Sequence, residues 1–193
     1  MERIGIFGGT FDPPHVGHVV AASEVRYRLG LDRVIFVPAG EPWQKQGAVT
    51  ASAQDRLDLA RAAVEGVAGI EVSAIEVERN GPTYSVDTLE ALAAPERVLY
   101  LILGADAASR LDTWHRADDV RALATIVVVD RGGAAGATPP GPAWRVQRVG
   151  IPRLDVSSTE IRHRLATGAP IDGLVPSGVA RLIHHRGLYA EDR

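Results

Sequence analysis

The chain has no cysteine among its 193 residues, which excludes disulfides and thiolate metal sites. Lysine is almost missing as well. Lys45 is the sole example and arginine carries every other basic side chain, so the surroundings of this one lysine matter. Long apolar runs are lacking: Val98 to Leu103 and Thr125 to Val129 are of strand length and could not cross a bilayer, so no membrane role is expected. An excess of positive charge is absent too. The formal net charge of -3 and a pI near 6.1 argue against a surface dedicated to nucleic acid and favour small anionic ligands in local pockets. The opening Met1-Glu2-Arg3 with its brief apolar run lacks the length of a signal peptide, so a soluble cytoplasmic protein is expected. The length suits one domain, 1-193, with a substantial core.

What is present is concentrated in one stretch, Ile4-Gly5-Ile6-Phe7-Gly8-Gly9-Thr10-Phe11-Asp12-Pro13-Pro14-His15-Val16-Gly17-His18. A short β-branched run breaks at paired glycines, turns at paired prolines and enters a helix-like pattern, which predicts strand, tight loop and helix start. Glycines let backbone N–H groups approach a ligand, and the following helix points its positive end at the loop, so the stretch is a phosphate cradle. His15 and His18 are three apart and share a helix face, where both imidazoles can donate to one anion while Gly17 leaves room for it near the backbone. The plainer alternatives are a pair of metal-ligand histidines, or one buried and one surface histidine.

Further along, a first helix ending at Leu29 with Gly30 as its stop and a buried strand Arg33 to Pro38 make a right-handed parallel crossover, the start of a Rossmann-like sheet. The aperiodic segment Ala39 to Thr50 leaves the carboxyl end of that strand, the ligand-facing edge of an open parallel sheet, and brings Lys45 within reach of a substrate phosphate; otherwise Lys45 is a solvated loop residue. Ser52 to Asp55 reads as a reciprocally capped helix start, with Arg56 and Arg61 expected on its solvated side. Ile70 to Ser73 and Ile75 to Glu78 alternate as a half-exposed strand or pair of strands. A turn at Asn80 to Thr83 leads into a helix to Ala93, with Ser85 and Asp87 as ordinary caps and Thr83 and Tyr84 less easily explained. The strand Val98 to Leu103 ends in Gly104-Ala105-Asp106, where Gly104 admits a sugar or base and Asp106 accepts from ribose hydroxyls, unless Asp106 merely caps the next helix. Trp114 lies outside any strand or helix pattern and can stack on a planar ring, although tryptophan also serves as plain core. Thr125 to Asp130 is a fifth strand with Arg131 on the ligand side. Residues 132-143 read as a mobile surface connection, and Trp144 to Val149 as an edge strand. At Val156 to Arg162, the Ser157 and Glu160 spacing starts a helix whose hydroxyls and Arg162 make a second anion seat, the bland reading being a well-capped helix with a surface arginine. A last helix runs from Ser177 to His185, stopped at Gly187.

The histidine, any residue, glycine, histidine tetrad at His15 to His18 resembles the nucleotidylyltransferase superfamily, and Gly8 to Pro13 resembles its bacterial nicotinate mononucleotide adenylyltransferases. Thr83 to Leu89 is similar to that family's pyridine-site segment, Gly104 to Asp106 with Trp114 to its ribose and pyridine-stacking region, and Val156 to Arg162 to its triphosphate motif. These matches cover nearly the whole chain. The departure is Glu41-Pro42-Trp43-Gln44-Lys45, where many relatives carry two prolines, histidine and lysine. The resemblance implies an α/β, Rossmann-like, doubly wound and mostly parallel sheet in a single domain. It also implies transfer of AMP from ATP to nicotinate mononucleotide, with Mg²⁺ accompanying ATP, and a homo-oligomer is compatible with it. In that reading His15, His18 and Arg162 are catalytic. Gly8, Gly9, Thr10, Phe11, Gly104, Asp106, Ser157 and Ser158 join them around ATP, and Lys45, Thr83, Tyr84, Asp106, Trp114 and Arg131 hold the mononucleotide. No protein metal ligand is expected. The alternatives are phosphopantetheine adenylyltransferase, which fits poorly around Thr83 to Thr88 and Trp114, and a non-catalytic nucleotide-binding regulatory module. A class I aminoacyl-tRNA synthetase core carries a similar histidine motif, but this chain is too short and acidic to add tRNA-binding domains.

Overall fold

Six runs of apolar residues line up as parallel neighbours in a single sheet of order β3-β2-β1-β4-β5-β6. In this computed structural model the described residues are 1-41, 50-79, 81-130 and 141-190. The chain runs β1 (Glu2–Gly9), α1 (Val16–Leu29), β2 (Arg33–Pro38), α2 (Ala53–Val64), β3 (Ile70–Val72), α3 (Ser85–Leu92), β4 (Arg97–Gly104), α4 (Ala105–Ala108), a 3₁₀ turn (Leu111–Thr113), α5 (Ala117–Leu123), β5 (Ala124–Asp130), β6 (Val146–Gly150), α6 (Ser158–Thr167) and α7 (Ser177–Arg186). The expected Rossmann-like architecture is present, with every strand pair parallel. Winding reverses between β1 and β4, and in such sheets the crevice beyond the carboxyl ends of those two strands is where ligands bind.

Strands buried on both faces need apolar residues at successive positions, and the two faces divide them by parity. Val34, Phe36, Tyr100, Ile102, Val127 and Val129 pack under α1, α2, α6 and α7, whereas Ile4, Ile6, Ile35, Val37, Leu99, Leu101, Ile126 and Val128 pack under α3, α4 and α5. Gly5 is required in β1. A Cβ there would press on Ile102, Leu31 and Val34 at 2.9 to 3.0 Å. Helix ends follow local chemistry: α1 stops at Gly30 with φ 58°, α6 at Gly168 with φ 72° and α7 at Gly187 with φ 63°, the left-handed region that glycine enters without a Cβ clash. Ser52 accepts from the Asp55 N–H at 3.0 Å and Ser157 from the Glu160 N–H at 3.2 Å, so both expected starts are present.

Four expectations are corrected. Arg56 is not on the solvated side of α2. It is 1% exposed, because the helix turns it under the ends of β1 and β2, where backbone carbonyls accept its N–H groups. Ile75 to Glu78 form turns instead of a strand, and Glu76 is buried. Ser85 and Asp87 do not cap α3, whose N-cap is Tyr84; Asp87 faces Arg79 at 3.6 Å instead. Trp144 precedes its strand and is buried, its indole donating to Asp112 at 2.7 Å. Helices α4 and α5 lie where no periodic signal was legible. Each spans barely one or two turns, too short for an apolar stripe to declare itself.

Candidate active site

The loop from Gly8 to His15 sits at the carboxyl end of β1 and is tied down from several directions. Phe11 adopts φ 50°, and its ring folds back into the core, stacked on Phe36 at 4.9 Å and edge-on to His18 at 5.1 Å. A left-handed bulky residue costs about 1–3 kcal/mol, which this aromatic packing offsets. Phe11 therefore presents only backbone to a ligand. Gly8 is exposed, and a Cβ there would meet nothing within 4 Å, so the space above it is open; the same is true of Gly104 at the end of β4. The two glycines flank the crevice at the winding reversal.

His15 and His18 share a face as the spacing requires, their rings stacked with centroids 3.7 Å apart. The backbone N–H of His15 donates to Nδ1 of His18 at 3.1 Å. An imidazole nitrogen that accepts carries no proton, so neutral His18 has its proton on Nε2, oriented as a donor on the far side of the ring. Gly17 does not keep a space for an anion: a Cβ there would lie 3.0 Å from His15 Nδ1 and 3.2 Å from Val156, so its absence lets the His15 ring pack down. The start of α1 also spends donors internally. The Val16 N–H goes to the Leu174 carbonyl and the His18 N–H to the His15 carbonyl.

Asp12, 2% exposed, organises the rest of the loop. Its Oδ2 accepts from the Thr50 N–H at 2.8 Å, and its Oδ1 from the Ala51 N–H at 3.1 Å and the Tyr189 hydroxyl at 2.8 Å. Burial, followed by the negative charge of Asp12, pushes the Tyr189 phenol well above its ordinary range, so it stays a donor. From α6, Arg162 donates to the Asp12 carbonyl at 2.7 Å and Ser158 donates to the Pro13 carbonyl at 2.8 Å. The expected second anion seat is thus docked on the first. Ser158 spends its hydroxyl proton on that docking, and the Ser157 hydroxyl accepts as the helix cap.

A cleft of about 260 Å³ opens beside the cradle, lined by Gly8, Gly9 and Thr10 on one side and by Thr83, Tyr84, Ser85, Trp114 and His115 on the other. Tyr84 and His115 pack ring on ring at 4.3 Å. Glu76, which also lines this cleft, accepts from Thr88 at 2.7 Å. Burial raises the Glu76 pKa above the usual carboxylate value, and the Thr88 bond pulls the other way; the Thr83 hydroxyl adds a weaker pull without a well-formed hydrogen bond. Asp106 lies in the exposed first turn of α4, whose N-cap is Gly104, and its carboxylate makes no hydrogen bond or ion pair among the described residues. Lys45 and Arg131, with Trp43 and Gln44, lie outside the described residues, as does most of the 132-143 connection.

Three residues in this architecture were not singled out as functional from sequence. Arg56 reads as a helix-surface arginine and Glu76 as one tooth of an alternating strand, and no sequence pattern marks Tyr189. The one available hint was Asp12 inside the cradle stretch, a buried carboxylate in need of donors.

Residues 6-164 match the family model described as cytidylyltransferase-like. A protein named probable nicotinate-nucleotide adenylyltransferase from Saccharopolyspora erythraea is 46% identical over 190 residues, covering 97% of this chain and 90% of that one. A Bacillus pumilus protein of the same name is 40% identical over 191 residues, covering 98% and 99%. Among solved structures, Plasmodium falciparum nicotinic acid mononucleotide adenylyltransferase complexed with NaAD superposes with a TM-score of 0.79 at 18% identity, covering 98% of each chain. At that identity the likeness speaks for the fold.

Proposed function

This chain belongs to the nicotinate-nucleotide adenylyltransferases within the cytidylyltransferase-like family, and from that premise we propose how its cleft divides the two substrates. The enzyme transfers AMP from ATP to nicotinate mononucleotide, giving nicotinate adenine dinucleotide and pyrophosphate in NAD biosynthesis. The observation that supports our division is that one cleft has the Gly8 to Thr10 cradle as one wall and Thr83, Tyr84 and Trp114 as the other.

In this reading the backbone of Gly8 to Phe11 and the imidazoles of His15 and His18 hold the α- and β-phosphates of ATP. Arg162, already braced on the Asp12 carbonyl, turns its remaining N–H groups to the outer phosphates. Ser158, whose hydroxyl proton is committed to Pro13, serves the phosphates through its place at the N-terminus of α6 rather than through that proton. Gly104 leaves space for the nucleoside and Asp106 accepts from a ribose hydroxyl. Trp114 stacks on the pyridine beside Thr83 and Tyr84, while Lys45, aided by Arg131, holds the acceptor phosphate.

The nucleophile needs no general base. A phosphate monoester with a second pKa near ~6 is mostly dianionic at neutral pH. Catalysis comes from aligning it with the α-phosphorus and from neutralising charge as pyrophosphate leaves. Nucleotidyltransferases generally use a divalent ion, and we take it to be Mg²⁺. Among the described residues there is no group of three His, Asp or Glu side chains that could hold a metal ion. When bound with ATP, such an ion would supply charge neutralisation for the departing pyrophosphate, beside Arg162. The described helices include none long and apolar enough to cross a membrane, and we place the reaction in the cytoplasm.

The test is pyrophosphate release with ATP and, in parallel, nicotinate mononucleotide, nicotinamide mononucleotide and phosphopantetheine. Turnover is expected with the pyridine nucleotides and strongest with the acid; release with phosphopantetheine alone would overturn the assignment.

A further inference from the structure

We propose that Arg56 is a positioning residue that sets the width of the cleft by replacing the rungs the β1–β2 ladder lacks beyond Gly9 and Pro38. The parallel register between these strands ends at Gly9 opposite Pro38, and among the described residues the Ala39 N–H makes the last backbone bond across, to the Gly9 carbonyl at 2.9 Å. One residue further, Thr10 turns into the cradle and Gly40 into the loop leaving β2. Both now offer carbonyl oxygens, and two acceptors cannot bond each other.

The Arg56 guanidinium stands between them. Nη1 donates to the Thr10 carbonyl at 2.9 Å, Nη2 to the Gly40 carbonyl at 2.9 Å, and Nε to the Ala51 carbonyl at 3.3 Å. A planar fork with fixed donor directions holds its acceptors at one separation, which a flexible ammonium cannot do. All three acceptors are uncharged backbone groups, so the residue is placed for geometry and not as half of an ion pair. Its charge is compensated at longer range: burial lowers its pKa, while the negative charge of Asp12, and more weakly that of Glu76, acts to raise it. Thr10 lines the cleft on the cradle side, and Gly40 backs onto Thr83 of the facing wall, where a Cβ would lie 3.3 Å from the Thr83 side chain, so the fork ties the two walls together at a set distance.

The inference rests on the adenylyl-transfer reading, in which in-line attack requires two phosphates aligned across that cleft. Misplacement by an ångström costs turnover on the order of 100-fold while leaving each substrate's own contacts in place.

Arg56→Lys keeps the charge and loses the fork; Arg56→Ala leaves a guanidinium-sized gap. For each, steady-state kcat, calorimetric affinity and stoichiometry for a non-hydrolysable ATP analogue, and thermal unfolding are measured. Arg56→Lys is expected to bind the analogue at one per chain with affinity within roughly threefold of wild type, while kcat falls by about 100-fold. Added guanidinium at low millimolar concentration is expected to restore part of kcat to Arg56→Ala, and methylammonium to restore none. The proposal is overturned if Arg56→Lys keeps its kcat per bound analogue, if kcat and binding stoichiometry fall together, or if methylammonium rescues Arg56→Ala as well as guanidinium does. Wild-type turnover on nicotinate mononucleotide reports on the underlying reading separately, so the two failures are distinguishable.

Discussion

The hydroxyl of Tyr189 donates to Oδ1 of Asp12 at 2.8 Å, joining positions 177 residues apart. Tyr189 sits two residues beyond the glycine that ends α7, at φ 64°, and Asp12 is in the cradle loop. The bond fastens the end of the described chain to the cradle loop beyond β1.

Tyr189→Phe removes that one donor and keeps the ring. A hydrogen bond to a charged group contributes about 1.5–3 kcal/mol, and urea unfolding at pH 7 is expected to show a loss of that size. The wild-type phenol has a raised pKa when folded but ionises near its ordinary value when unfolded, so its contribution is complete below pH 10 and declines as pH rises beyond it. The phenylalanine variant should lack that alkaline component, and an unchanged alkaline slope would show that Tyr189 is not its source.

Glu76→Gln tests the buried acid that accepts from Thr88. The folded pKa is raised by burial, so the carboxyl contributes fully below its unfolded value of about 4.5 and loses that contribution as pH rises through the folded value. Glutamine keeps an acceptor for Thr88 without the charge. The variant is therefore expected to be at least as stable as wild type at pH 7 and to lose this advantage near pH 4. Urea midpoints measured across that range decide it; destabilisation at pH 7 would mean the charge is better compensated than its surroundings indicate.

Gly40→Ala addresses the exit of β2. A Cβ there would run into the Glu76 carbonyl oxygen and lie 3.3 Å from the Thr83 side chain, with Arg56 held to the Gly40 carbonyl. Overpacking against backbone is expected to cost about 1–3 kcal/mol, seen as a lowered Tm. Wild-type stability in this variant would require the loop to sit elsewhere.

His18→Ala is expected to reduce turnover by about 100-fold or more, as for loss of one transition-state donor of ~2.7–4 kcal/mol, while circular dichroism stays unchanged. The tautomer can be checked independently. Nitrogen chemical shifts of His18 should show the proton on Nε2, since Nδ1 accepts from the His15 backbone. A proton found on Nδ1 would remove the donor assigned to the phosphates.

Lys45→Ala is expected to raise the KM for nicotinate mononucleotide and leave that for ATP little changed. Titration of each substrate in turn measures this, and a defect confined to ATP would reassign the lysine.

What could be read from the sequence was what neighbours in the chain decide. The strands of β1, β2, β4 and β5 are short apolar runs, the ends of α1, α6 and α7 are glycines in left-handed backbone, and Ser52 and Ser157 cap the turns that follow them. The strand, the glycine loop and the two histidines on one helix face were legible for the same reason, because every part lies within fifteen consecutive residues. What only tertiary structure decided depends on residues brought together from afar. Arg56 reads as a solvated helix residue until β1 and β2 present carbonyls 46 and 16 positions away, and Glu76 reads as strand until Thr88 folds over it. Gly17 seemed to make room for a ligand until Val156 arrived to fill the space beside His15. Propensity and capping energies act within a few residues, whereas the partner of a buried polar group is set by where the sheet delivers it.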